Sequence, residues 1–443
     1  GVISALTMAT AGWLAYLSGL AYVENGVLFF GVCATGAMLR AARDGEKDPQ
    51  TKSSAPAPGL LGWLVVSGVL AGFAAGCKYT AVPMVIVPLV FGAILMTNRL
   101  RDRITGSFTL AAAALMALSP WLVKNQVMTG NPVFPLLNNV FEASPPGWDS
   151  ESTARWERGH TPPPEERSIR AKLTHLWRHL LWDRYHRFGP AVFLLALGGL
   201  LWRRRGRADA ALIVIVMIQT GVWLFATHLY ARFAVPLLIP LTLLAGRCVV
   251  GAPSANRWRC VVGVLALGGA WNFAHALNLH RAEAVYGVPS SLFYRGFVPG
   301  YEYLGLINER LPAGAKVLLV GDARAFYVRC AADYHVVFNL DPFAQAVRDE
   351  DDLLAWLRAE KYTHVLIHWA EIDRLRSSYG FGPEVNPALL DRLCAKGLRL
   401  MKAFSHPHGT RRYVELYELP SPTLQEAPPT GNSSAPHRDK RSP

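Results

Sequence analysis

Charge is scarce in this sequence. Asp, Glu, Lys and Arg make up 17% of its 443 residues, against about 25% in an ordinary soluble domain. With 51% hydrophobic residues and a mean hydropathy of +0.19, that shortage argues against a soluble globular chain. Recognisable catalytic motifs are missing too. There is no Walker phosphate loop, HExxH, GxSxG or nucleotide-binding glycine fingerprint, and GDARAF at 321–326 lacks the required glycine spacing. No dense His/Cys/Asp/Glu cluster points to a metal, so neither a metal nor another cofactor is expected. The six cysteines include no CxxC pair. Cys33, Cys77, Cys248 and Cys260 lie in or beside apolar runs and read as packing residues, while a pairing of Cys330 with Cys394 stays open. No internal repeat is visible. The first residue is Gly1, inside an apolar run with no basic stretch before it and no small-residue cleavage site after it. That run is not a signal peptide, and the sequence reads as a chain whose N-terminus lies further upstream.

What the sequence does have is apolar runs, at roughly 2–21, 26–41, 59–77, 81–97, 106–123, 188–202, 210–227, 233–247 and 260–277. They predict about nine membrane-spanning helices with soft boundaries. Basic residues mark every second connection: Arg40, Arg43, Lys47 and Lys52; Arg99, Arg101 and Arg103; Arg203, Arg204, Arg205 and Arg207; then Arg247, Arg257 and Arg259. The positive-inside rule makes these connections cytoplasmic. The formal charge of +13 would suggest nucleic acid in a soluble protein, but here the cations set topology and meet anionic lipid. Membrane lipids, not nucleic acid, are the expected partners.

The remaining connections then lie outside, among them the long loop 124–187. Within it, 168–185 shows helical apolar spacing with Trp177 and Trp182 among basic residues. That fits an interfacial amphipathic helix or, equally, a helix packed on the protein. The domain reading is a transmembrane domain over 1–277, an extracytoplasmic domain over 278–420 and a disordered tail over 421–443. The second domain reads as α/β with a small, largely parallel sheet: strands at 315–320, 335–339, 363–368, 399–404 and 412–418, and helices at 350–360 and 387–396.

Four places at the outer membrane boundary carry chemistry. Glu24, between two apolar runs, is a costly carboxylate unless paired or watered. It is either a base or substrate-binding anion, or a plain loop carboxylate. Lys78, beside Tyr79, is a cation on the disfavoured side that could hold a phosphate or simply snorkel to the surface. Lys124 is a second outer cation, followed by the turn Thr129–Pro135 around Asn131. Arg232, beside Tyr230, is a third, suited to bidentate phosphate contacts.

In order, Tyr22-Val23-Glu24, then GxxAGxxxGxKYT (68–80), PWxxKNxxxTGNPxFPL (120–136) and YARFxxPxxxP (230–240) resemble bacterial GT-C membrane glycosyltransferases. Those are relatives of the protein O-mannosyltransferases and of the transferase that adds aminoarabinose to lipid A. The resemblance covers about residues 1–250. It implies a GT-C helical bundle in the bacterial plasma membrane that moves a sugar from a polyprenyl-phosphate donor to a lipid, glycan or protein acceptor outside the cytoplasm. Glu24 would be catalytic, and Lys78, Tyr79, Lys124, Asn131, Tyr230 and Arg232 would bind substrate. It also implies a main catalytic acid in a first outer loop upstream of Gly1, and about eleven spans in all. A lipid or saccharide transporter, or a non-catalytic membrane assembly protein, is the rival reading. The sugar, the acceptor and the pathway are not legible.

Overall fold

The structure is a computed structural model. It describes residues 1–18, 22–46, 58–97, 99–182, 187–201, 206–250, 254–280, 300–339, 343–405 and 412–420. Lys47, Lys52, Arg203, Arg204, Arg205 and the tail 421–443 fall outside the described residues. The chain divides into two compact units, Gly1–Pro145 with Glu157–Phe293, and Pro146–Trp156 with Tyr294–Pro443. Residues 146–156 of the long loop thus cluster with the C-terminal unit.

In the first unit, five helices among the described residues are long and apolar enough to cross a membrane: Glu24–Arg43, Gly59–Cys77, Leu100–Thr129, Arg207–Ala226 and Ala231–Val249. The runs at 81–97 and 188–202 form shorter apolar helices, Val82–Met96 and Pro190–Leu201. The run 2–21 breaks into Val2–Ala9 and Gly12–Ser18. The last run lies within Ala255–His280. Among the described residues, five of the nine expected spans are thus long and apolar enough to cross a membrane by themselves.

Proline shapes two of these segments. Pro88 has no N–H to offer the Met84 carbonyl. The helix widens to a π turn over Val82–Ile86, and the buried Gln219 side chain donates to Met84 O instead, at 2.7 Å. Pro236 likewise keeps Ala231–Leu237 in a 3-10 helix before regular α-helix begins at Leu238. Helices Pro58–Cys77 and Leu100–Thr129 touch backbone to backbone through glycine. A Cβ on Gly68 would lie 2.4 Å from Leu110 O, and one on Gly72 would lie 2.4 Å from Ala114 O. The amphipathic segment folds as Ile169–His175 followed by a π turn, Leu176–Leu181. Leu180 and Leu176 face the core, and Ile169, Leu173 and Trp177 are exposed.

The second unit is a five-stranded sheet, β1 (Lys316–Val320), β2 (Ala331–His335), β3 (His364–His368), β4 (Arg399–Ser405) and β5 (Arg412–Glu418), in the order β2-β1-β3-β5-β4. Leu318, Val320 and Ile367 face one apolar cluster, while Val317, Leu319 and Leu366 face another. Central strands are thus buried on both sides, as a helix-covered sheet requires. Two corrections to the sequence reading follow. The sheet is mixed, with β1 parallel to β2 and β3 but β5 antiparallel to β3 and β4. The second strand is 331–335, not the apolar 335–339. It is an edge strand with mostly exposed residues, so its sequence carries no apolar alternation. Helices Tyr301–Arg310 and Trp369–Ser378 had no counterpart in the sequence reading.

Candidate active site

Glu24 opens the helix Glu24–Glu46, Lys78 follows the end of Pro58–Cys77, and Arg232 sits in the first turn of Ala231–Leu237. Three helix ends thereby bring together residues more than 200 positions apart in the chain. Glu24 is buried, at 4% exposure. Its Oε1 accepts a hydrogen bond from Lys78 Nζ at 2.6 Å, and Arg232 Nε stands 4.0 Å from the same oxygen. Its Oε2 is buried with no hydrogen-bond partner among the described residues. A buried carboxylate oxygen left unpaired is costly, so this oxygen is where a donor group from outside the chain would be accommodated.

Aromatic rings wall the charges. Lys78 Nζ lies 4.2 Å from the centre of the Phe233 ring, and the Arg232 guanidinium lies 4.8 Å from Tyr22 and 5.3 Å from Phe233. These cation–π contacts fix the two cations without neutralising them. Beside them His228 packs 4.7 Å from Phe233 and 5.6 Å from His160. Burial, then the charges of His160, Arg232 and Lys78, pull its pKa down to about 4. It is neutral at physiological pH.

The other expected residues are placed differently. The Tyr79 hydroxyl receives hydrogen bonds from Trp121 Nε1, at 2.9 Å, and from the Asn125 amide, and it reaches Pro132 O at 3.4 Å. It ties the Leu100–Thr129 helix to the turn that follows. Lys124 is exposed, with its ammonium 4.5 Å from the Trp121 ring; among the described residues no ion pair joins it to Glu24. Asn131 is fully buried and spends its amide inside the turn, accepting from Val133 N and donating to Leu136 O, both at 2.9 Å. Tyr230 is half exposed and lies edge-on to His228 at 4.5 Å. The structure thus brings Glu24, Lys78 and Arg232 into direct contact, and sets Tyr230 beside them. Among the described residues, Lys124 is connected to them by way of Trp121 and Tyr79. The walls, Tyr22 and Phe233, sat within the quoted sequence blocks, but nothing in their spacing marked them as ring partners for a cation.

A family model described as a domain of unknown function, DUF8201, matches residues 63–239, which include Lys78 and Arg232 but not Glu24. No curated protein matches the chain. The crystal structure of ArnT from Cupriavidus metallidurans bound to undecaprenyl phosphate is similar in fold. Its TM-score is 0.54 and its identity 14%, over 94% of this chain and 78% of that one. The chain therefore has a fold similar to that of ArnT, with five helices among the described residues long and apolar enough to cross a membrane and a small sheet-bearing unit toward its C-terminal end.

Proposed function

We propose that the protein is a membrane glycosyltransferase that moves a sugar from a polyprenyl-phosphate carrier to an acceptor hydroxyl on the extracytoplasmic face. The observation that carries this reading is Glu24, with one oxygen, Oε1, held by Lys78 and standing 4.0 Å from Arg232 Nε, and the other, Oε2, buried and unpaired among the described residues. Two cations face one carboxylate, which leaves one positive charge to complement a phosphate. The fold similarity to a protein solved with undecaprenyl phosphate supports the choice of carrier.

The chemistry is a displacement at the anomeric carbon. The bond from that carbon to the phosphate oxygen breaks as the acceptor oxygen bonds to the same carbon. Glu24 Oε2 takes the acceptor proton, and Lys78 and Arg232 take up the charge that develops on the departing polyprenyl phosphate. Tyr79 and Lys124 border the site toward the turn at Asn131, and Tyr230 borders it beside His228. The carrier, a lipid, glycan or protein acceptor, and the surrounding bilayer lipids are the partners of this reading.

The test uses the full-length protein, with the first outer loop that the resemblance implies upstream of Gly1. Reconstituted protein is supplied with a panel of polyprenyl-phosphate-linked sugars, and the released carrier is measured. Glu24→Gln keeps the shape and removes the charge. The expected result is a loss of roughly 10²-fold or more in transfer rate, with undecaprenyl phosphate still bound. Transfer at the wild-type rate by a folded Glu24→Gln protein would reduce Glu24 to a loop carboxylate.

A further inference from the structure

The C-terminal unit contains an open cavity of about 590 Å³. It lies where the sheet changes direction. From β1 the chain moves outward to β2, then returns past β1 to β3 on the other side. The carboxyl ends of β1 and β3 are therefore the point from which successive connections diverge, the place where open α/β sheets collect ligands. The loop after β1 and the helix Trp369–Ser378 after β3 form its walls. Gly321 lets the two approach. Its φ is +86°, and a Cβ there would stand 3.0 Å from His368 O and 2.8 Å from Ile372 Cγ1.

Charge in this cavity is present but balanced. Arg324 grips Asp322 with two contacts, Nε to Oδ1 at 2.9 Å and Nη2 to Oδ2 at 2.7 Å. The fully buried Tyr303 hydroxyl joins the pair, 3.3 Å from Asp322 Oδ2 and hydrogen-bonded to Arg324. Arg374 and Glu371 form a second bidentate pair, with Nε to Oε2 at 2.9 Å. His368 Nδ1 accepts from Glu371 N at 3.1 Å, which places the proton of the neutral ring on Nε2. Tyr303 and Tyr413 pack edge-on against that ring at 5.3 and 5.4 Å.

This lining disfavours an ion of either sign. An anion arriving at the start of Trp369–Ser378 meets the Glu371 carboxylate, and a first-turn N–H that would receive it is already taken by His368. A cation meets carboxylates that are already held by guanidinium groups, Asp322 by Arg324 and Glu371 by Arg374. A ligand without charge that offers both hydroxyl donors and oxygen acceptors satisfies carboxylates and guanidiniums together, and its carbon faces can rest on the Tyr413 and His368 rings. The volume is in the range of small-molecule sites. We infer that this cavity is a binding site for an uncharged saccharide. It belongs to the C-terminal unit alone and does not depend on the role of Glu24.

The experiment uses the whole chain in lipid nanodiscs, because maltoside detergents would themselves present a sugar. Methyl galactoside, methyl mannoside, N-acetylglucosamine and maltose are titrated by calorimetry beside inorganic phosphate and glucuronate. At least one of the four uncharged sugars should bind saturably and more tightly than either anion. Arg374→Ala, at an exposed position, should weaken that binding by about tenfold, and Tyr413→Phe, which removes one hydroxyl, by a smaller factor. The inference fails if none of the four sugars binds, or if phosphate or glucuronate binds best. It fails equally if both folded variants keep the wild-type affinity, since the sugar would then sit elsewhere.

Discussion

Arg232 and Lys78 share one carboxylate but are not interchangeable. The Arg232 guanidinium is a planar fork lying between the rings of Tyr22 and Phe233, a geometry that a lysine ammonium cannot reproduce. Arg232→Lys keeps the charge and loses the fork. Its affinity for undecaprenyl phosphate, read by native mass spectrometry, should fall by about tenfold; an unchanged affinity would remove the bidentate contact from the proposed site. His228 makes a separate prediction. Its pKa in the folded protein is about 4, below the ordinary 6.5, so the unfolded chain takes up its proton first as the pH falls. The contribution of His228 is fully present above pH 6.5 and is lost between there and about pH 4. His228→Phe keeps an aromatic ring and cannot titrate. In thermal unfolding scans the variant should lose less stability than wild type on going from pH 7 to pH 4.5. Equal losses would mean that other groups carry the acid sensitivity.

Between the helices, glycine does what hydrophobicity cannot do inside a lipid phase. Leucine gains little by leaving lipid for another helix, so close backbone contact must supply the attraction. Gly68 and Gly72 provide it against Leu110, Ala113, Ala114 and Ala117. Gly72→Leu forces a side chain into a backbone carbonyl and should cost on the order of 1–3 kcal/mol. The expected readout is an earlier thermal transition for the membrane unit; an unshifted transition would show that the two helices part without consequence. The spacing of these glycines was visible in the sequence as part of the block that contains Lys78. The structure separates the two jobs: the glycines pack, and only the lysine reaches Glu24. Elsewhere burial helped, although the exposed edge strand β4 was legible too. β1 and β3 were plain because their residues are buried on both faces. The edge strand β2 was misplaced because its mostly exposed residues AADYH carry no apolar alternation. The saccharide cavity was not legible, since its walls come from Tyr303, Asp322, Arg324, His368, Glu371, Arg374 and Tyr413, which meet only once the sheet order is known.

Across the whole membrane unit, charge is sorted by helix end. Glu24, Lys78 and Arg232 occupy one end of their helices. Arg40 and Arg43 lie toward the other end of the first, Arg101 and Arg103 begin the helix that carries Trp121 and Lys124 near its finish, and Arg207 begins Arg207–Ala226. Even the buried Asp209, paired with Arg247 at 2.8 Å, sits at the arginine-rich end. In a bilayer around these helices, the positive-inside bias predicts that the arginine-rich ends face the cytoplasm and the carboxylate cluster the other side. With that orientation, the expectation for residues 278–443 is the extracytoplasmic side. Single cysteines at residues 205 and 430, in a chain whose six native cysteines are replaced, test this in intact cells with an impermeant thiol reagent. Residue 430 should label from outside, and residue 205 only after lysis. The opposite pattern would turn the Glu24 cluster toward the cytoplasm, where an acceptor held outside the membrane could not reach it, and transfer on the extracytoplasmic face would have to be abandoned along with the orientation.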